Sequence, residues 1–164
     1  GGRLPITVPK SVGQLPIYYN QKPSAIHKYV AESEHPLYSF GHGLSYTTFA
    51  YSNLKLNTKE IKPNGEIKVS VDVKNTGNLD GDEVVQLYIN DVYSSVTTPE
   101  KTLKGFKRLN IKKGETKNVE FTLTQDELSI WNRQMKRVVE PGDFEVMVGG
   151  NSTDLLKTNF KVSN

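Results

Sequence analysis

The 164-residue sequence predicts an all-β chain: an immunoglobulin-like antiparallel sandwich preceded by an extended, irregular arm. Three observations predict it. From about Phe49 onward, apolar and polar residues alternate in short runs, the pattern of strands with one buried face. Glycine and proline turns separate these runs with no long helical period between them, as in two sheets packed face to face over ~100 residues. Pro5, Pro9, Pro16, Pro23 and Pro36, five of the eight prolines, crowd the first 36 residues. Each fixes its own φ, lacks a backbone donor and biases its predecessor toward extended geometry, so that stretch holds neither a long helix nor a central strand.

The elements follow in order. The arm carries Tyr18, Tyr19, Tyr29, Tyr38 and Phe40, more large rings than a solvated linker holds, so these rings are expected to lie on a surface, either the following domain or a partner. Ile67, Val69, Val71 and Val73 alternate with Lys68, Ser70 and Asp72, and Asn75-Thr76-Gly77 then turns. Val85, Leu87 and Ile89 form the next run after the Asp80-Gly81 turn signal. Residues 103–111 read as another strand, closed by Lys113-Gly114 and followed by Val119, Phe121 and Leu123 in alternation. Thr124 and Glu127 make a capping-box pair, which predicts a single helical turn within residues 123–130. Pro141-Gly142 turns into Phe144, Val146 and Val148, and residues 156–162 supply a last strand. Six or seven strands result.

Composition narrows the function. Twenty-one Lys and Arg against 18 Asp and Glu leave a formal charge of +3 without a basic block, so nothing favours nucleic acid. No run approaches the ~20 apolar residues of a membrane helix, so no membrane span is expected. The absence of cysteine excludes a disulfide scaffold, thiolate zinc sites and cysteine nucleophiles. The opening Gly1-Gly2-Arg3-Leu4-Pro5 has neither an initiator Met nor an export signal, and reads as part of something longer.

No segment forms a complete active site. His27, His35 and His42 lie on the irregular arm, where no helix brings them to one face; they read as surface or interface residues, with no metal site and no cofactor. Asp80, Asp82 and Glu83, like Asp126 and Glu127, sit at turns and caps, where carboxylates have structural reasons to be. The 80–83 segment lacks the spaced oxygen ligands of a calcium loop. There is no nucleophile elbow, phosphate loop or dinucleotide fingerprint. Trp131, beside Asn132, Arg133 and Gln134, is the candidate sugar-stacking ring. Asn151-Ser152-Thr153 matches a glycosylation sequon and otherwise reads as a turn.

Several segments together resemble a known family. These are Gly2-Arg3-Leu4-Pro5-Ile6-Thr7-Val8-Pro9, Val12-Gly13-Gln14-Leu15-Pro16-Ile17-Tyr18-Tyr19-Asn20, and Pro36-Leu37-Tyr38-Ser39-Phe40-Gly41-His42-Gly43-Leu44-Ser45-Tyr46-Thr47-Thr48-Phe49. Gly81-Asp82-Glu83-Val84-Val85-Gln86-Leu87-Tyr88, Leu103-Lys104-Gly105-Phe106 and Val139-Glu140-Pro141-Gly142 continue the pattern in order. The chain resembles the carboxy-terminal end of glycoside hydrolase family 3 enzymes of the β-glucosidase and β-xylosidase type, with Arg137 and Ser39 departing from the family's usual aromatic and proline.

The resemblance implies that residues 49–164 form a fibronectin type III-like domain, and that residues 1–48 are the tail of a preceding α/β sandwich domain plus its connector. The family's nucleophilic Asp and general-acid Glu belong to upstream domains. None of the seven aspartates here precedes a Trp, so no catalytic residue is carried over. The expected role is a non-catalytic accessory domain, itself inactive, that supports the catalytic core of a periplasmic or secreted parent. That parent hydrolyses β-glucosides or related oligosaccharides with retention. Tyr18, Tyr19, Tyr38, Phe40, His42, Tyr46 and Phe49 are the expected domain-interface residues, with Gly41 and Gly43 permitting a tight backbone path. The parent's catalytic domains are the expected partner. The alternatives are a carbohydrate-binding module using Trp131 or Tyr93, with glycan as partner, and a stand-alone protein-interaction sandwich.

Overall fold

The structure, a computed structural model, describes residues 1–23 and 35–164; His27 and Tyr29 lie outside the described residues. Ten strands form three sheets. The first sheet has the order β1 (Phe49–Leu56), β3 (Ile67–Asn75), β6 (Thr116–Leu123). The second runs β2 (Glu60–Ile61), β10 (Leu155–Val162), β9 (Gly142–Gly149), β4 (Gly81–Asp91), β5 (Thr102–Ile111). A two-stranded ribbon joins β7 (Ile130–Trp131) to β8 (Arg137–Val138). All pairings are antiparallel except β2 with β10, a two-residue parallel contact that closes the edge of the larger sheet.

The inner faces of the two large sheets make one core. Val69, Val71 and Val73 of β3 meet Val85, Leu87 and Ile89 of β4 together with Phe144, Val146 and Val148 of β9, nearly all fully buried. Phe144 and Phe160 are register partners on β9 and β10, and their rings stack at 5.3 Å. In β3 burial follows the pleat, apolar in and polar out. β1 does not stay regular: its register shifts between Ser52 and Lys55, and Asn53 sits at φ 53°. Asparagine tolerates that left-handed conformation, and the Asn53 amide donates across to Asp72 at 2.8 Å.

The Asn75-Thr76-Gly77 turn carries more than its composition suggests. Asn75 is fully buried, and its side chain is hydrogen-bonded on both sides. Its Nδ2 donates to the carbonyls of Leu79 and Ile111 at 2.8 and 2.9 Å, while Oδ1 accepts from Thr47 Oγ1 at 2.6 Å and from the Gly77 N–H at 3.1 Å. One amide thus joins the end of β3, the end of β5 and the segment leading into β1. The expected helical turn is α1 (Gln125–Leu128), closed by a capping box in which the Glu127 carboxylate accepts from the Thr124 N–H at 2.7 Å.

Two substitutions check the hierarchy by urea unfolding. Leu87→Ala removes a fully buried side chain and is expected to cost about 2–5 kcal/mol. Thr124→Ala removes only a cap and is expected to cost about 1 kcal/mol.

Candidate functional site

The arm is more ordered than its prolines suggest. Segments 3–9 and 36–43 run antiparallel and exchange backbone hydrogen bonds: Leu4 N–H to His42 O and Val8 N–H to Tyr38 O at 2.8 Å, and Leu37 N–H to Val8 O at 2.9 Å. Val8 and Tyr38 form a β-bridge. Pro5 and Pro9 lack donors, which limits the pairing to a short ribbon. Gln14 is buried behind it, accepting from the Lys10 N–H at 2.6 Å and donating to His35 O at 3.3 Å.

This ribbon covers the outer face of the larger sheet. β4 is buried on both sides along residues 85–89, so Gln86 and Tyr88 are inaccessible although they point away from the core. Phe40 stacks on Tyr19 at 4.1 Å, and Tyr19 meets the edge of Tyr88 at 5.9 Å. Gln86 Nε2 donates to Gly150 O at 2.8 Å and to Gly41 O at 3.4 Å, and the Tyr88 hydroxyl donates to Gln86 Oε1. The Ser152 N–H donates to Phe40 O at 3.0 Å. Burial pushes the Tyr88 phenol well above its usual range.

Gly41 is required here twice over. Its φ is +78°, and a Cβ would fall 2.2 Å from Gln86 Oε1. Gly43 is needed for space, because a Cβ would meet Gly2 O at 2.3 Å. A second clamp lies at the start of β4, where the nearly inaccessible Glu83 accepts from the Tyr51 hydroxyl at 2.6 Å and pairs with the Arg3 guanidinium. Burial raises the Glu83 carboxyl above its ordinary value, against the opposing pull of Tyr51 and Arg3.

The seven interface candidates therefore separate by direction. Tyr19 and Phe40 face the sheet, and Phe49 packs against the core. Tyr18, Tyr38 and Tyr46 face outward, with Tyr46 97% exposed. His42 stacks on Tyr38 at 5.0 Å. Tyr38 and His42, with Leu4, Val8 and Leu44, line an apolar groove of about 720 Å³ on the outer side of the ribbon.

The other sequence candidates are structural. Asp80 accepts from the Lys113 N–H at 2.7 Å; Asp82, on the opposite face from Glu83, accepts from Asn110 at 2.7 Å and from Arg108 Nε at 3.0 Å. Asp126 pairs with Arg137 at 3.0 Å. Trp131 is exposed on the β7–β8 ribbon, but the Asn132 Oδ1 beside it is engaged by the Gln134 and Lys136 N–H groups at 3.0 Å. Asn151 Oδ1 accepts from the N–H groups of Thr153 and Asp154 at 2.8 and 2.9 Å, so the sequon is a side-chain-closed turn. Among the described residues no three His, Asp or Glu side chains group to hold a metal, and no helix is long and apolar enough to cross a membrane.

A cleft escaped the sequence reading. It lies at the far end of the larger sheet, between the outer faces of β4, β9 and β10 and the loop of residues 92–101, with a volume of about 520 Å³. Asp91 lines it with Oδ2 buried and unpaired. Burial and the negative charge of Glu140 push this carboxyl up to about 6.

Two measurements follow. Phe40→Ala is expected to cost about 2–3 kcal/mol in urea unfolding of this chain. It should also speed hydrogen exchange at the Ser152 amide while leaving Val71 protected; unchanged exchange at Ser152 would mean that the ring does not hold the arm. Asp91 binds its proton more tightly folded than unfolded, so its contribution is fully present below about pH 4 and is lost as pH rises through about 6. Asp91→Asn is therefore expected to stabilise at pH 7.5 by up to about 1 kcal/mol after solvent screening, with the gain vanishing near pH 4. Thermal unfolding at both pH values checks it.

Known proteins share this arrangement. A fibronectin type III-like domain model matches residues 83–152. A putative β-xylosidase of Formosa agariphila is 45% identical over 162 residues, covering 98% of this chain and 21% of that protein. A periplasmic β-glucosidase of Salmonella typhimurium is 41% identical over 172 residues, covering 98% and 22% respectively. The solved structure of a β-glucosidase from Erythrobacter marinus superposes with a TM-score of 0.95 at 40% identity, across 99% of this chain and 22% of that one. The chain thus spans about a fifth of the length of these relatives. With a sandwich, a folded-back arm and a sequence that match throughout, the chain belongs to glycoside hydrolase family 3 as a carboxy-terminal segment that includes its fibronectin type III-like domain.

Proposed function

We propose that this chain is a non-catalytic accessory domain that braces the catalytic core of a family 3 β-glycosidase. The observation that carries the reading is the two-sided arm. Its inner side is spent on the sandwich, while its outer side presents Ile6, Val12, Leu15, Leu37, Leu44 and Tyr46, all more than half exposed. Large apolar side chains gathered around a groove mark a surface that another body covers. In this reading residues 1–48 are the tail of a preceding α/β sandwich domain and its connector, and residues 49–164 are the accessory domain proper. The arm's outer side then docks against upstream domains of the same polypeptide.

The parent, in this reading, cleaves β-glucosides or related oligosaccharides with retention, a reaction that needs a nucleophilic carboxylate and an acid–base carboxyl about 5 Å apart. Both come from upstream domains, and the segment contributes rigidity. The β-glucosidase and β-xylosidase names of the relatives support the substrate class, and the periplasmic β-glucosidase among them supports a periplasmic or secreted location.

The paired variant Leu44→Ser with Tyr46→Ser separates docking from folding. Both side chains are more than 80% exposed here, so the isolated chain is expected to change by no more than about 0.5 kcal/mol. The full-length polypeptide should lose several degrees in melting temperature. Equal melting of the full-length pair would remove the docking role. Incubated alone with an aryl β-glucoside, the chain is expected to release no phenol, and turnover that follows this chain through purification would refute a non-catalytic part.

A further inference from the structure

The cleft at the far end of the larger sheet is built differently from the arm's apolar groove. Its floor is strand: Asn90 on β4, Glu145 and Met147 on β9, and Lys157 on β10, adjacent in the register of the sheet. One wall is the loop of residues 92–101, held by its own hydrogen bonds: Ser94 Oγ donates to Val96 O at 2.6 Å, and Thr98 Oγ1 to Asp91 O at 3.4 Å. Beyond it, the Ser95 N–H donates to Glu140 at 2.8 Å. The volume of about 520 Å³ falls within the span of about 300–1,000 Å³ common to small-molecule sites.

The chemistry of the lining selects the ligand. Both lysines are already engaged, Lys157 with Glu145 at 3.2 Å and Lys101 with Ser152 O at 2.8 Å, so little free positive charge remains to hold an anion. An apolar ligand would strand the amide, carboxylate and ammonium groups of the floor without partners. Asp91 Oδ2, in contrast, is a buried acceptor waiting for a donor, and a neutral ligand hydroxyl supplies one without importing charge. Asn90 offers an amide that both donates and accepts, the dual capacity that a hydroxyl requires. Tyr93 lines the same cleft with its ring 79% exposed, a flat apolar face beside polar groups.

We infer that this cleft binds neutral saccharides, with the Tyr93 ring stacked on a sugar face and Asn90 and Asp91 hydrogen-bonded to its hydroxyls. The site is separate from Trp131 and from the arm's groove, and its occupancy does not depend on docking to other domains.

The test is an amide NMR titration of the isotope-labelled chain with xylobiose and, separately, laminaribiose. The expected result is saturable shifts at Asn90, Tyr93, Thr97 and Glu145, with a dissociation constant on the order of 1 mM for at least one sugar. Tyr93→Ala should weaken that binding at least about fivefold; its side chain is exposed, so its fold should persist. Trp131→Ala should bind as the parent chain does. Absence of shifts with either sugar at tens of millimolar, shifts confined to Trp131 or the arm, or undiminished binding by Tyr93→Ala would each overturn the assignment.

Discussion

The structure depends on how the outer face of β4 is covered. A sandwich strand normally has one dry side and one wet side, yet Gln86 and Tyr88 are buried on the side that ought to be wet. Burying an amide and a phenol away from water costs free energy unless each finds a partner. The arm supplies those partners: Gly41 O and Gly150 O accept from Gln86, Gln86 itself accepts from Tyr88, and the stacked rings of Tyr19 and Phe40 close over them. Arm and sandwich therefore form one packed unit.

The same logic organises the charged clamp between Arg3 and Glu83. Desolvation disfavours the Glu83 carboxylate, and the Tyr51 hydroxyl and Arg3 guanidinium offset much of that cost. Such a pair adds little net stability compared with an apolar filling, but losing either partner leaves the other in the wrong environment. Its contribution is positional: it fixes where the arm begins relative to β1 and β4. Asn75 does the same at the connector, holding Thr47 against the ends of β3 and β5.

The arm and the cleft put two unlike surfaces on one sheet. The arm turns an apolar groove outward, suited to another protein surface, whereas the far end of β4, β9 and β10 is polar, concave and flanked by an exposed tyrosine. This separation lets one small domain brace a larger polypeptide at one end and remain open to solvent at the other. Rigidity in both places comes from strands whose inner faces are locked into the valine-rich core.

What was legible in the sequence was local. The alternation of Val69, Val71 and Val73, the capping pair Thr124 and Glu127, and the Asp80-Gly81 turn each express their structure within a few residues, because strand pleat and helix caps are short-range geometry. The aromatic arm also announced that it needed a surface, but not which one: Tyr18 and Tyr19 are neighbours in sequence and face opposite ways. The far-end cleft left no motif, since Asn90, Tyr93, Glu145 and Lys157 come together only when β4, β9 and β10 pair. Nor does composition distinguish Glu83, buried beneath Arg3 eighty positions away, from Asp82 beside it, which stays on the outer face with Arg108 and Asn110. Chain chemistry alone determined an all-β sandwich with a ring-bearing arm; which polar groups are dry, which rings turn outward and where a ligand can enter were decided by long-range packing, because burial is set by neighbours that the local sequence does not contain.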